Sequence, residues 1–275
     1  GANLSGANLG KAILTNTRLD KAAMADVNLS GADLSGAQAS GTDFTGGNLS
    51  KAILTNTRLD KAVMVKVDLS GADLSGAQML GANLSGANLG KAILTNTRLD
   101  NAVLVDAYLS GADLSGAHLV GANISGGILV GANLGGAMLK GIRNLASAQF
   151  DNLRGAILDG ADLTGVDLTG KDLSGTRFRG CLNLGSATLD GADLAGVNLC
   201  GVDFCGASLK GCKLGGAKGL RQAKFGNLCG AILDGVDLTG VHLTKKDLSG
   251  TRFGGCLNLR SATFDNLRGA ILEGA

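Results

Sequence analysis

The chain has 275 residues, of which 46 are Gly, one is Tyr and none is Pro or Trp. It contains 25 Lys and Arg against 23 Asp and Glu, which gives a formal net charge of +2. Globular domains of this size usually carry several prolines and more aromatics, so the composition predicts a narrow core. The near balance of charge is unlike the cationic surface of a typical nucleic-acid binder, and we expect no nucleic-acid partner.

A period of five residues runs through the first half of the chain. Cut into blocks of five from Gly1, the sequence keeps one phase through Lys140. In 27 of these 28 blocks the fourth position is Leu, Met, Phe or Ile, and the second position is always Ala, Val, Thr or Gly. Residues two apart on an extended backbone point to the same side, so both positions are predicted to face inward. A period of five does not fit the 3.6-residue repeat of a helix, which excludes a helical body.

A longer repeat is superimposed on the blocks. The segment KAILTNTRLD begins at Lys11 and returns unchanged at Lys51 and Lys91, so its copies are 40 residues apart. Blocks this short, without hairpin turns, cannot reverse direction, and we expect the chain to turn a corner at about every fifth residue and stack on itself. Four blocks per coil would place the copies two coils apart. Gly at block boundaries, as at Gly31 and Gly36, suits corners that need an unusual φ.

The blocks GADLS, GANLS, GADLT and GVDLT resemble the A(D/N)LXX motif of pentapeptide-repeat proteins, and the resemblance covers nearly the whole chain. The resemblance implies an all-β fold, a right-handed quadrilateral parallel β-helix with four blocks per coil. Some members of the family mimic duplex DNA through a strongly acidic surface and bind type II topoisomerases such as gyrase. Gyrase binding is therefore the alternative function, and the near-neutral charge of this chain disfavours it.

Residues 1–140 are predicted to form regular coils. Residues 141–275 are predicted to form coils with register breaks near 141–155, 178–184, 214–230 and 253–267, continuous with the first part. The breaks appear as irregular steps between apolar residues, such as six residues from Leu139 to Leu145 and three from Phe150 to Leu153. A bulged corner can absorb the longer step, whereas the shorter one cannot span a face, so a kink or small loop is expected. The lack of a polar linker favours one continuous rod over two separate domains.

The residues of catalytic and metal sites do not occur in the required arrangements. The segment from Gly165 to Lys171 imitates a phosphate-binding loop, but Asp172 stands where Ser or Thr would bind magnesium. His118 and His242 lack the neighbours of a metal or acid–base site. The six Cys contain no C-x2-C pair, and we interpret them as small thiols in place of Ala or Ser. The sequence thus predicts no catalytic residue, no metal site and no cofactor.

The outward positions carry the candidate partner-binding residues. Three isoleucines lie on the third face of the predicted coils, two pairs of valines flank Met64 and Leu104 on the first face, and three arginines lie on the fourth face. These residues are Val63, Val65, Val103, Val105, Ile13, Ile53, Ile93, Arg18, Arg58 and Arg98. Apolar side chains that look outward at about 9.6 Å intervals indicate contact with another protein. The alternative is that duplication copied isolated exposed aliphatics, which are common on protein surfaces.

The arginine row is interpreted separately from the aliphatic ones. Asp20, Asp60 and Asp100 follow the three arginines by two residues and offset their charge, so a solvated ion-pair face is expected there.

The predicted function is that of a non-enzymatic rigid solenoid, a protein–protein interaction or structural scaffold module with a protein partner. Open coil ends expose unpaired backbone groups, so end-to-end or homodimeric association through the ends is also expected. No stretch approaches the roughly 18 apolar residues of a membrane span. The sequence leaves both a cytoplasmic and a chloroplast or thylakoid-lumen location open.

Overall fold

The computed structural model describes residues 1–150, 153–178, 181, 189–200, 202–204, 209, 211–225 and 228–274. The chain forms two compact units, Gly1–Asp151 and Asn152–Ala275. Of the break predicted near 178–184, only Phe178 and Cys181 lie within the described residues.

The first unit is built from coils of 20 residues. Parallel β-bridges join each outward residue to the residue 20 positions later, and four such pairings per coil continue upwards as four columns. The first column contains Asn3, Ala23, Asp43, Val63, Asn83, Val103, Asn123 and Arg143; the second contains Asn8, Asn28, Asn48, Asp68, Asn88, Tyr108 and Ile128; the third contains Ile13, Asp33, Ile53, Asp73, Ile93, Asp113 and Asn133; the fourth contains Arg18, Gln38, Arg58, Gln78, Arg98, His118 and Met138. The spacing agrees with four blocks per coil.

Continuous strands are rare. Within the described residues the only two are β1, Ile128–Leu129, and β2, Gln149–Phe150, which pair in parallel. Elsewhere the pairing consists of isolated bridges. The β pairing that the sequence predicts is therefore present in this reduced form. The reason is the block length. A turn follows each short extended segment, so only one residue of each block pairs with the neighbouring coils.

The core of the first unit consists of the second and fourth positions of each block. Ala52 and Leu54 are 0% exposed, whereas Ile53 between them is 41% exposed. The same alternation recurs in block after block, which confirms that these two positions face inward. Each fully buried Leu contributes about 1.5–3 kcal/mol relative to an exposed one, so the stacked leucines are the main source of stability.

Every backbone N–H of a typical block is engaged. In the block Gly71–Ser75, two N–H groups donate to the following coil: Gly71 to Gly90 O at 2.9 Å and Leu74 to Ile93 O at 2.7 Å. Asp73 donates to the preceding coil, at Ala52 O, 3.0 Å, and Ala72 donates to the preceding block, at Leu69 O, 3.0 Å. The N–H of Ser75 donates to the side chain of Asp73, at Oδ1, 2.9 Å. Proline cannot supply any of these donors, which accounts for its absence from the 275 residues.

The corners adopt left-handed backbone conformations. Gly31 and Gly36 have φ of 63° and 66°, as predicted for glycines at block boundaries. The sequence did not indicate that Lys and Asn share this conformation, yet Lys11 and Asn16 have φ of 58° and 55°. For a residue with a Cβ this conformation costs roughly 1–2 kcal/mol.

Three short 3-10 helices lie in the described parts of the ranges 141–155, 214–230 and 253–267. They span Leu145–Ser147, Leu220–Gln222 and Leu259–Ser261. The residue before each helix has a positive φ, 62° at Asn144, 74° at Gly219 and 58° at Asn258. Each helix therefore starts from the same left-handed turn that forms the ordinary corners.

The second unit is also a stack of parallel bridges, but its spacing varies. Ile157 pairs with Arg177 after 20 residues, Arg177 pairs with Asn198 after 21, and Lys213 pairs with Ile232 after 19. Its core repeats the buried Leu and small residues of the first unit. Continuity of this unit with the first remains a prediction.

Candidate protein-interaction surface

The three candidate isoleucines lie in the third column, each separated from the next by an Asp. Ile13 is 80% exposed, Ile53 41% and Ile93 42%. Because one step of the column is the spacing of hydrogen-bonded strands, the isoleucines recur at about 9.6 Å. The structure thus brings Ile13, Ile53 and Ile93 together as an evenly spaced row of exposed aliphatic side chains.

The candidate valines occupy two kinds of position. Val63 and Val103 lie in the first column, two coils apart, with Asn83 between them. Val63 is 37% exposed, and Val103 is half-buried. Val65 and Val105 lie in the following turns and are also half-buried. The first face therefore presents less apolar surface than four fully outward valines would.

The candidate arginines lie in the fourth column and are exposed. Arg58 Nε is 3.8 Å from Asp60 Oδ2, and Arg98 Nη2 is 3.2 Å from Asp100 Oδ2. These contacts confirm that the aspartates offset the charge of Arg58 and Arg98. Exposed pairs of this kind contribute about 0–1 kcal/mol each, so these two pairs add little to stability and fit the expectation of a solvated ion-pair face.

The aspartates of the third column serve the turns. Asp33 Oδ1 accepts hydrogen bonds from the hydroxyl and the backbone N–H of Ser35, at 2.6 and 2.9 Å. These two bonds lower the pKa of Asp33, the hydroxyl having the larger effect. Asp73 makes the same pair of bonds to Ser75. The polar members of this column therefore fix the backbone, whereas its isoleucines make no such contribution.

One exposed cluster was missed by the sequence analysis. Tyr108 is 46% exposed, and its ring lies over Gly90, where an added Cβ would be 2.9 Å from Tyr108 Cε1. Ile128 follows Tyr108 in the second column, and Val130 is 44% exposed. A comparison of columns would have found this cluster, because the second column holds only Asn and Asp before Tyr108.

A surface cavity of about 720 Å³ lies in the second unit, lined by residues between 256 and 267. Cys256 lines the cavity, and its thiol donates a hydrogen bond to Leu233 O at 3.0 Å. Asn258 Nδ2 donates to Asp237 Oδ1 at 3.0 Å. Both of these lining groups already make hydrogen bonds within the fold, one to a backbone carbonyl and one to Asp237.

Three thiols of the second unit make the hydrogen bond that threonine hydroxyls make at the same block position. Cys181, Cys212 and Cys256 each donate to the carbonyl 23 residues earlier. Thr176 and Thr251 make the same bond. The interpretation of the cysteines as small thiols in place of Ala or Ser fits this geometry, because Ala is the commonest residue at this block position and Cys200 lies at the fifth position, where other blocks have Ser. Burial raises the pKa of Cys181 and of Cys212 to about 12, which keeps both thiols protonated.

We expect Cys212→Thr to reduce the alkaline sensitivity of the protein. The Cys212 thiol ionises near pH 8.5 when unfolded and at about 12 when folded, so its contribution to stability is complete below pH 8.5 and is lost as pH rises towards 12. Threonine keeps the hydrogen bond and has no ionisable group in this range. Urea unfolding at pH 8 and pH 10.5 under reducing conditions should show a smaller loss for the variant; equal losses would contradict the burial of this thiol.

The described residues contain no group of three or more His, Cys, Asp or Glu that could hold a metal ion. His118 lies in the fourth column after Arg98, and His242 Nδ1 is 2.8 Å from Thr263 Oγ1. None of the helices in the described part of the chain is long and apolar enough to cross a bilayer.

The family model described as pentapeptide repeats matches eight copies, among them residues 2–46, 22–60, 40–76, 82–121, 152–182, 183–218 and 227–257. No curated protein matches the chain.

Several solved structures are similar. A pentapeptide repeat protein from the Arabidopsis thaliana thylakoid lumen is 32% identical over 36% of this chain and 70% of its own, with a TM-score of 0.36. HetL, involved in heterocyst differentiation regulation in the cyanobacterium Nostoc sp., is 30% identical over 94% of this chain and 91% of its own, with a TM-score of 0.26. QnrB1, a plasmid-mediated fluoroquinolone resistance protein, is 24% identical over 73% of this chain and 87% of its own, with a TM-score of 0.33.

Proposed function

The chain belongs to the pentapeptide-repeat family, and we propose that it is a non-enzymatic solenoid that binds a protein partner through its outer columns. In this proposal the coils wind as a right-handed quadrilateral β-helix. The parallel 20-residue bridges and the left-handed corners support that winding. Function then depends on the outward residues, because the inward ones are fixed by the core.

One observation carries the proposal: aliphatic side chains are exposed in columns whose other members are mostly polar. Ile53, Ile93 and Val63 are 41%, 42% and 37% exposed. Single exposed aliphatics are ordinary, but these recur at about 9.6 Å along a column, a regularity that a partner surface can match. The turns that position them need no aliphatic residue, as Asp33 and Asp73 show in the same column.

The backbone supports a rigid display of these side chains. The N–H groups of a block bind the coils on both sides, the preceding block and an Asp or Asn side chain. A partner therefore meets side chains whose backbone is already ordered. Preorganisation of this kind reduces the entropy cost of association.

The proposal is tested by replacing the four candidate valines with serine. We expect the variant Val63→Ser, Val65→Ser, Val103→Ser, Val105→Ser to keep the far-UV circular dichroism of the parent and to lose capture of the partner in affinity purification with mass spectrometry. Serine removes the apolar contact and is the residue that this family motif itself tolerates outside the core.

The matched control changes four polar residues of the second column, Asn8, Asn28, Asn48 and Asn88, to serine; Asn8 and Asn48 are exposed and the other two are half-buried. This control should capture the same partner as the parent. Unchanged capture by the valine variant, or equal loss by both variants, would contradict the assignment of the first column.

Gyrase binding by DNA mimicry is the alternative. Residues 1–140 contain ten Lys and Arg and ten Asp, so this part of the chain has no excess of negative charge. A polyphosphate backbone is densely anionic, and a neutral surface reproduces little of its field. We expect no inhibition in a gyrase supercoiling assay; inhibition at sub-micromolar concentration would favour the alternative.

A further inference from the structure

The corner residues of the first unit alternate between glycine and a residue with a side chain. Four corner rows run along the stack, one beside each column, and the alternation holds through the sixth coil. These rows are Lys21, Gly41, Lys61, Gly81, Asn101 and Gly121; Gly6, Asp26, Gly46, Lys66, Gly86, Asp106 and Gly126; Lys11, Gly31, Lys51, Gly71, Lys91 and Gly111; and Asn16, Gly36, Asn56, Gly76, Asn96 and Gly116. Every member has a positive φ.

In the row that begins with Asn16, each asparagine side chain occupies the space that a Cβ on the glycine of the following coil would need. A Cβ built on Gly36 would be 2.5 Å from Asn16 Oδ1, and one built on Gly76 would be 2.6 Å from Asn56 Oδ1. Non-bonded atoms do not approach so closely, so a Cβ at either glycine would require the asparagine amide to leave the position it occupies. Glycine above asparagine thus accommodates the positive φ and also leaves the amide where it lies.

The row that begins with Lys11 provides a comparison within the same coils. A Cβ built on Gly71 would be 3.7 Å from Lys51 Cγ, an ordinary van der Waals distance. Gly71 and Gly76 have nearly the same φ, 62° and 67°. The two positions therefore share the left-handed strain. They differ in whether a side-chain atom of the preceding coil lies where the added Cβ would be.

We propose that the alternating corners form a register lock that makes two coils, and not one, the unit in which this solenoid can be extended, shortened or slipped. A slip of one coil would place Asn96 over Asn56, with a Cβ where the amide now lies. It would also place Lys91 over Lys51, two like charges on neighbouring coils. A slip of two coils restores every corner. The lock explains why KAILTNTRLD returns after 40 residues although a coil has 20.

Coil length supports the proposal independently. Within the described bridges, the spacing is 20 throughout the coils with alternating corners, and the first spacing of 21, from Ile128 to Gln149, follows coils whose corners are all glycine. In the second unit glycine lies over glycine, as Gly175 over Gly155, and the spacing there ranges from 19 to 21. Coils of irregular length occur where the lock is absent.

The lock also bears on the surface. It favours a repeat of two coils, about 9.6 Å, in the outward columns as well, because a step of one coil would set Asn over Asn and Lys over Lys. The lock then accounts for the spacing of Ile13, Ile53 and Ile93 whether or not a partner binds them. This inference concerns the fold and stands independently of the proposed function.

Two point variants separate the steric effect from the backbone strain. We expect Gly71→Ala to lower the apparent thermal midpoint by about 2–4 °C through left-handed strain alone. Gly76→Ala should lower it by at least about twice as much, because the methyl group also displaces the Asn56 amide. The double variant Asn56→Gly, Gly76→Ala should recover the excess loss. Equal shifts for the two single variants, or no recovery, would overturn the lock.

Deletions test the two-coil unit directly. Removal of residues 41–80 keeps the alternation, since Gly81 and Gly86 then follow Lys21 and Asp26. Removal of residues 61–80 deletes half as many residues but stacks Asn96 over Asn56. We expect the shorter deletion to unfold at the lower temperature, and Asn56→Gly in that background to raise its midpoint. A shorter deletion at least as stable as the longer one would contradict the proposal.

Discussion

Leu54→Ala is expected to destabilise the first unit by about 2–5 kcal/mol. Leu54 is 0% exposed, and its N–H is held by Asp73 O at 2.6 Å, so the neighbouring coils cannot move in to fill the space without breaking the ladder. The loss combines the transfer free energy of the deleted atoms with the cost of the cavity. Urea unfolding followed by circular dichroism measures it as a lower midpoint.

The control is the adjacent residue. Ile53→Ala removes a side chain of the same size that is 41% exposed, and surface substitutions away from special features usually lie within about 0.5 kcal/mol. The two variants differ by one position in sequence and should differ several-fold in effect. Similar losses for both would contradict the inward assignment of the fourth block position.

The burial pattern could be predicted from the sequence because it follows from one geometric fact. Side chains of an extended backbone alternate between two faces, so Ala52 and Leu54 had to lie on the side opposite to Ile53. The 40-residue return then limited the number of blocks per coil. The backbone of Lys11 could not be predicted in the same way, because propensity assigns left-handed corners to glycine and less often to asparagine, as at Asn16, but not to lysine.

The 3-10 helices were also beyond the periodicity argument. In Leu145–Ser147, Ser147 Oγ accepts from Gly126 N at 3.1 Å and donates to Asn144 O at 2.9 Å. In Leu259–Ser261, Ser261 Oγ accepts from Gly240 N at 3.2 Å and donates to Asn258 O at 2.8 Å. Three residues are too few to show a period.

The signal for these turns was instead a local motif. The sequence N-L-x-S occurs at 144–147 and 258–261, and also at 183–186, which lies outside the described residues. The asparagine that opens the motif donates from Nδ2 to a residue of the preceding coil, Asn144 to Asn123 Oδ1 at 2.8 Å and Asn258 to Asp237 Oδ1 at 3.0 Å. Read as a motif, it predicts both the turn and the residue of the preceding coil that anchors it.

The candidate surface shows the same division between what periodicity determines and what it does not. Periodicity assigns Val63 and Val103 to an outward column, and the structure places both there. It does not determine how far neighbours cover a side chain, so Val103 is half-buried although Val63 is 37% exposed. Tyr108 was missed because a single aromatic residue breaks no period.

Gln78→Pro is expected to destabilise the first unit by about 3 kcal/mol or more. Gln78 N donates to Thr57 O at 2.9 Å, so proline would delete a bond between coils and press its ring against the coil below. Gln78→Ala keeps the N–H and should cost less than about 0.5 kcal/mol. Loss of amide exchange protection at Ala77 and Met79 in the proline variant alone would show that the coil opens locally. Equal protection and equal urea midpoints in both variants would mean that the bonds between coils, and with them the exclusion of proline, are not what stabilises this stack.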